Sequence, residues 1–115
     1  MSKDWVQDMA VMHAKFNVNQ AVEKMSPEVL KEFLKFRINF LQEELDEMKS
    51  AENADDVVDA LIDLCVVAIG TLDAFNVDPY KAWDEVLKAN MQKEVGVKPS
   101  RPNPLGVPDL IISPL

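Results

Sequence analysis

The stretch VVDALIDLCVVAIGTL, residues 57–72, limits the possible folds most strongly, because its only polar residues are Asp59, Asp63 and Thr71. Its valines and isoleucines follow helical rather than alternating spacing, and a helix that is apolar almost all round lies at the centre of a bundle or at a subunit interface. Gly70 costs such a helix about 1 kcal/mol relative to alanine, unless close packing requires the missing side chain. We expect a central helix over residues 54–75.

Three further helices are predicted. They cover residues 2–16, residues 27–49 behind the potential cap Ser26, and residues 79–94. Only three glycines occur in the 115 residues, which fits tight connections between helices. The sequence therefore predicts an all-α fold with a four-helix bundle-like domain over residues 1–95.

The C-terminal segment has a different composition. Residues 96–115 hold five of the seven prolines and two of the three glycines, which excludes a regular helix. Because the segment ends in the apolar sequence LIISPL, we expect an extended tail that packs on the bundle or on a neighbouring subunit.

The formal charge of −8 repels phosphate backbones, so nucleic acid is not an expected partner. No apolar run is long enough to span a bilayer, so no membrane association is expected. The single cysteine, Cys65, excludes an internal disulfide, and its apolar neighbours suggest a small buried side chain rather than a nucleophile. These features predict a cytoplasmic protein.

Carboxylates concentrate on two of the predicted helices. In FLQEELDEM, residues 40–48, Glu44 and Glu47 are about 60° apart around the helix axis, and Glu43 lies beside them. On the next helix, Asp59 and Asp63 are about 40° apart. If the two helices pack antiparallel, the acidic residues of one can face those of the other.

A buried carboxylate needs a partner, which can be a basic side chain, a proton or a metal ion. The facing segment supplies mostly more acid, so a hard divalent cation, Mg²⁺ or Mn²⁺, is the favoured partner. A structural network of salt bridges is the alternative, and acids such as Asp46 and Glu52 are expected to be solvated.

These residues suggest a family. FLQEELDEM, followed by DALIDLCVVAIGTLDAFNVD and then EVLKANMQKEVG, resembles the all-α nucleoside triphosphate pyrophosphohydrolases, which include MazG-type enzymes, dimeric dUTPases and phosphoribosyl-ATP pyrophosphatases. The resemblance is greatest to small phage and bacterial members and covers most of the chain. It implies an all-α NTP pyrophosphatase fold that binds Mg²⁺ and a nucleoside triphosphate.

The resemblance also implies a ligand set. The family pattern is E-x-x-E on one helix and E-x-x-D on the next, and at the third of these positions the chain has Ala60, which cannot bind a cation. The expected metal ligands are therefore Glu44, Glu47, Asp59 and Asp63, with Asp56 as the reserve for Asp59.

Roles for other residues follow from the expected reaction, in which water attacks between the α and β phosphates. Glu43 or Glu44, whichever does not bind the cation, is the candidate general base. Asn90 and Lys93 match the family's N-M-x-K and would contact phosphate. Arg37 would orient a carboxylate or touch phosphate, with an i,i+4 pairing along the same helix or exposure to solvent as the alternative.

In the first helix, aromatic residues could stack on a base if this helix covers the site, although core packing is favoured for Trp5 and Phe16. The role of His13 stays open. The leading hypothesis is hydrolysis of a (deoxy)nucleoside triphosphate to the monophosphate and pyrophosphate. The alternatives are phosphoribosyl-ATP hydrolysis and an inactive helical assembly module. We expect a homodimer or a dimer of dimers.

Overall fold

The structure, a computed structural model, describes residues 4–95 and 110–112. Its elements are α1 (Trp5–Lys15), α2 (Val18–Glu23), α3 (Pro27–Lys49), α4 (Ala54–Ala74), α5 (Pro79–Met91), β1 (Glu94–Val95) and β2 (Leu110–Ile112). The chain divides into two compact units, residues 1–79 and residues 80–115. Helices make up nearly all of the described secondary structure, which confirms the predicted all-α class.

The predicted central helix is α4, which packs against α1, α2 and α3 in the first unit. The buried apolar side chains come from these helices and are Met9, Val22, Ala60, Val67 and Ala74. The opposite side of α4 leaves large apolar residues exposed, among them Val58, Leu61 and Ile62. The helix is therefore central to the unit and still presents an apolar surface.

Short polar residues set the starts of the helices, as the sequence predicts for α3. Ser26 Oγ accepts a hydrogen bond from the Val29 amide at 3.3 Å, and Pro27 occupies the first turn of α3. Asp4 caps α1 by accepting from the Gln7 amide at 3.1 Å. The predicted start of this helix at Ser2 lies outside the described residues.

The α1 helix ends where Asn17 adopts a left-handed backbone conformation, with φ of 57°. The chain then forms the short helix α2, which the sequence analysis did not predict because NVNQ was interpreted as a polar connection. Core packing of Trp5 and Phe16 was also predicted wrongly, since they are 55% and 63% exposed. The packing face of α1 is centred on Met9 and His13, and Phe16 follows the last helical residue.

Close helix packing explains Gly70. A Cβ atom at this buried position would lie 2.8 Å from Arg37 Nη2, 3.0 Å from Met9 Cε and 3.2 Å from His13 Nε2. The missing side chain therefore lets groups from α1 and α3 meet on the surface of α4.

We expect Gly70→Ala to lower the free energy of unfolding by about 1 kcal/mol. The steric cost of overpacking, about 1–3 kcal/mol, exceeds the gain in helix propensity, about 1 kcal/mol, because the imidazole of His13 is buried and cannot move aside freely. Urea denaturation of the two proteins measures the difference. A variant as stable as the original chain would contradict the close-packing explanation.

The helix α5 begins at Pro79 as predicted but ends at Met91, earlier than the predicted residue 94. Turn hydrogen bonds from Gln92 N to Ala89 O and from Lys93 N to Asn90 O end the helix. The strand β1 then pairs antiparallel with β2. The rest of the predicted tail, residues 96–109 and 113–115, lies outside the described residues, and its packing stays a prediction.

Within residues 4–95 and 110–112, no helix is both long enough and apolar enough to cross a membrane.

Candidate metal site

Three carboxylates meet where α3 packs against α4. Glu44 and Glu47 come from α3 and Asp63 comes from α4, and one oxygen of each lies within 4.8 Å of the others. The i, i+3 spacing places the two glutamates on the same side of α3, and the α3–α4 packing brings Asp63 to them. We refer to Glu44, Glu47 and Asp63 as the carboxylate cluster.

Burial within the cluster is uneven. Glu44 is only 7% exposed, Asp63 is half-buried and Glu47 is exposed. The buried Oε2 atom of Glu44 has no hydrogen-bond partner among the described residues. Burial raises the pKa of the Glu44 carboxyl above its ordinary value, and the negative charges of Glu47 and Asp63 raise this pKa further. Among the described residues, no basic side chain forms an ion pair with the cluster.

A hard divalent cation fits this donor set. All the donor atoms are carboxylate oxygens, which Mg²⁺ and Mn²⁺ prefer, and a cation would supply the partner that Glu44 Oε2 lacks. It would also offset the repulsion among three negative groups. The structure thus brings together three of the four predicted ligands, Glu44, Glu47 and Asp63, closely enough to hold one cation, and their role as ligands stays a prediction.

Asp59 is placed differently. It is exposed and lines a cavity of about 270 Å³ together with Glu47, Ser50, Ala51, Asp56 and Ala60, beside the cluster rather than within it. Asp56 takes part in the start of α4, because its amide donates to Asn53 Oδ1 at 2.9 Å and its Oδ2 accepts from Asn53 Nδ2 at 3.1 Å. Ala60 is 3% exposed. A role for Asp59 as a ligand stays a prediction.

The guanidinium of Arg37 is directed toward the C-terminal half of α4. Its Nε donates to Thr71 Oγ1 at 2.9 Å and its Nη2 donates to Val67 O at 3.0 Å. Partial burial lowers the pKa of this guanidinium from its ordinary value. These contacts with α4 differ from the i,i+4 pairing or solvent exposure expected as the alternative for Arg37, and its contact with phosphate stays a prediction.

The other predicted site residues are not members of the cluster. Glu43 is exposed on α3 and lines a shallow groove with Phe36, Asn39 and Phe40. Asn90 lies in α5, and Lys93 follows the end of that helix. Because Asn90 and Lys93 belong to the second unit, their contact with phosphate also stays a prediction.

A buried polar network joins α1, α2 and α4, and it resolves the open role of His13. The His13 imidazole is 4% exposed, and its Nδ1 atom lies 2.8 Å from Asp73 Oδ2 in a hydrogen bond. Asn19 Nδ2 donates to the backbone and side-chain oxygens of Asp73, both at 3.2 Å. The sequence analysis missed Asp73 and Asn19, although an aspartate in an otherwise apolar helix was the available signal.

The raised pKa of Glu44 predicts how cation-free stability depends on pH. The folded state holds this proton more tightly than the unfolded chain, so the contribution to stability is fully present below the ordinary pKa of 4.5 and is lost as the pH rises through the raised pKa. In chelator, Glu44→Gln should melt at a higher temperature than the original chain at about pH 7.5, and the difference should shrink toward about pH 4. A difference independent of pH would contradict this.

Comparison with known proteins gives one family. Residues 11–90 match the model of the family described as phosphoribosyl-ATP pyrophosphohydrolase. The match begins within α1, includes α3 and α4 and thus the whole carboxylate cluster, and ends near the end of α5. No curated protein and no solved structure matches the chain.

Proposed function

Because the chain belongs to the phosphoribosyl-ATP pyrophosphohydrolase family, and so to the all-α nucleoside triphosphate pyrophosphohydrolases, we propose that it hydrolyses the bond between the α and β phosphates of a nucleotide in a reaction that depends on a divalent cation. The family match indicates a hydrolase of acid anhydrides. It favours phosphoribosyl-ATP over the unsubstituted (deoxy)nucleoside triphosphates that the sequence analysis placed first. Both substrates carry the same triphosphate, which is the part that a carboxylate cluster with a cation recognises.

The observation that carries the proposal is the buried carboxylate of Glu44. Its Oε2 atom has no partner among the described residues, and the cluster contains only groups of like charge. A protein that needed only to fold would be more stable with an uncharged side chain there. The cluster is therefore better explained by a cation site, with Mg²⁺ the proposed ion.

The proposed reaction assigns a role to each group. Water adds to the α phosphorus, the bond from this phosphorus to the bridging oxygen breaks, and the products are a nucleoside monophosphate and pyrophosphate. When bound, the cation would neutralise phosphate charge and lower the pKa of the attacking water. Glu43, which lies outside the cluster, is the proposed general base that accepts the water proton. Asn90 and Lys93 would donate hydrogen bonds to phosphate oxygens.

We also propose that the chain forms homodimers or dimers of dimers. The exposed apolar residues on α4, which include Val58, Leu61 and Ile62, support this proposal because such a surface is disfavoured in water. Sedimentation of the purified chain measures the oligomeric state.

An inactive assembly module is the competing function, and Ala60 in place of a ligating glutamate is the feature in its favour. Metal affinity separates the two functions, since an assembly module does not require a cation at Glu44. The buried Oε2 atom of Glu44, which has no hydrogen-bond partner among the described residues, favours the enzyme.

The test is pyrophosphate release from phosphoribosyl-ATP and from a panel of NTPs and dNTPs, with Mg²⁺, with Mn²⁺ and in chelator. Release should require the cation and should be lost in Glu47→Gln, whereas Glu52→Gln, at an exposed acid outside the cluster, should retain it. The substrate hydrolysed with the highest kcat/KM identifies the nucleotide. No turnover on any of these substrates would reject the enzyme and favour the assembly module.

A further inference from the structure

Apart from Glu43, the residues of a groove on one side of α3 have no role in the reaction proposed so far. Its volume is about 270 Å³, and it is lined by Phe36, Asn39, Phe40 and Glu43. The groove therefore combines two aromatic rings with an amide and a carboxylate on one helix, which is a small and mixed surface rather than a wide apolar face.

The aromatic rings of the groove are arranged in a row. The ring of Phe36 stacks near that of Phe33, with centroids 6.5 Å apart and planes inclined by 20°, and it meets the ring of Phe40 edge to face, also at 6.5 Å. Phe36 is 61% exposed. An aromatic side chain held by its neighbours but open to solvent offers a free π face to a planar ligand.

The position of Phe40 is fixed by the rest of the unit. The Arg37 guanidinium lies 5.7 Å from the centroid of the Phe40 ring, and Arg37 is itself anchored by hydrogen bonds to Thr71 and Val67 of α4. The groove is thus supported by a contact that links α3 to α4. Little ordering of Phe40 is required when a ligand binds, which favours affinity.

The groove is continuous with the carboxylate cluster. Phe36, Phe40, Glu43 and Glu47 follow one another at spacings of four, three and four residues, so they lie in one row along α3. With a rise of 1.5 Å per residue, Phe40 and Glu47 are separated by about 10 Å along the axis. A nucleotide can span this separation with its base at one end and its phosphates at the other.

We propose that the groove of Phe36, Asn39, Phe40 and Glu43 binds the nucleobase of the substrate while the triphosphate lies at the carboxylate cluster. This inference rests on the proposed function. The base stacks on Phe36, and the Asn39 amide, which offers both a donor and an acceptor, hydrogen-bonds to the polar edge of the base. Asn39 is thereby the residue that discriminates among bases.

A second apolar cavity is the competing location for the base. It lies between α1 and α4, and its lining includes Trp5, Met9, Ile62 and Cys65. Neither location contains a member of the carboxylate cluster. The row along α3 that joins Phe36 and Phe40 to Glu47 favours the α3 groove.

The test compares ligands with and without a base. Calorimetry with Mg²⁺ measures Kd for α,β-methylene analogues of ATP, GTP, CTP and UTP, which resist cleavage, and for inorganic tripolyphosphate. For the analogue that binds most tightly, Phe36→Ala should raise Kd about 5- to 100-fold, as expected for loss of one base–aromatic stack. Phe36→Trp should restore binding, and Kd for tripolyphosphate should not change in either variant.

Trp5→Ala is the matched control, because Trp5 is an exposed aromatic of the competing cavity. Weaker nucleotide binding in Trp5→Ala but not in Phe36→Ala would overturn the proposal in favour of that cavity. Equal weakening of nucleotide and tripolyphosphate binding in Phe36→Ala, with a smaller oligomer on sedimentation, would show that the groove is a subunit contact. If no nucleotide analogue bound more tightly than tripolyphosphate, the base subsite alone would be rejected. If neither the analogues nor tripolyphosphate bound, the proposed function would be rejected as well.

Discussion

Replacing Glu44 with glutamine should reduce pyrophosphate release at least about 10³-fold. A cation in such a site supplies several kcal/mol of transition-state stabilisation, and each 1.36 kcal/mol changes the rate about tenfold. Glutamine keeps the size of the side chain but removes the charge of the most buried member of the cluster. The measurement is kcat/KM for pyrophosphate release at saturating Mg²⁺, with the melting temperature recorded beside it.

Although Glu44→Gln should lower the activity, it should raise the stability of the cation-free protein. In chelator at neutral pH, Glu44→Gln removes a buried charge that no described basic residue pairs with, and it should stabilise the fold. Added Mg²⁺ should raise the melting temperature of the original chain only. Loss of activity combined with a gain in cation-free stability identifies a functional carboxylate. Lower stability in chelator, accompanied by lost activity, would instead indicate a structural role for Glu44.

Asp63→Asn should reduce kcat/KM about 10²- to 10³-fold, and Asp59→Asn should reduce it less than about tenfold. The difference follows from position, because Asp63 is within the cluster and Asp59 lines the adjoining cavity, so that only Asp63 directly neutralises the bound cation. Titration of each variant with Mg²⁺ separates a loss of cation affinity from a loss of turnover.

Asp55→Asn provides the control for this pair, since Asp55 is an exposed aspartate in the first turn of the same helix. It should change neither Mg²⁺ affinity nor turnover. If Asp59→Asn proves as damaging as Asp63→Asn, then Asp59 compensates for the missing glutamate at Ala60, and the cation must lie closer to the cavity of Asp56 and Asp59 than the cluster alone indicates.

The helices α3 and α4, which carry the cluster, were predictable because their capping residues and apolar patterns are clear in the sequence. Ser26 and Pro27 mark the start of α3, and the continuous apolar run defines α4. By contrast, α2 could not be predicted, because its six residues are too few for a periodic pattern. Its position depends on the left-handed backbone at Asn17 and on the hydrogen bonds of Asn19 with Asp73, which are tertiary effects.

The cluster itself was predictable in part. Spacing along α3 identified Glu44 and Glu47, but spacing along α4 could not separate Asp59 from Asp63, since both lie within a turn of each other and only the packing angle of the helices selects one. The contacts of Arg37 with Thr71 and Val67 were equally hidden, because they depend on Gly70 leaving room for the guanidinium. Helical periodicity defines a face of a helix, but it does not define what that face meets.

The carboxylate cluster lies entirely within one helical hairpin, α3 and α4, joined by a short connection. Its members come together where the two helices pack, so their mutual repulsion acts against the packing of this hairpin. A bound cation would remove that repulsion and stabilise the folded hairpin. The ion that serves the proposed reaction would thereby also hold α3 against α4.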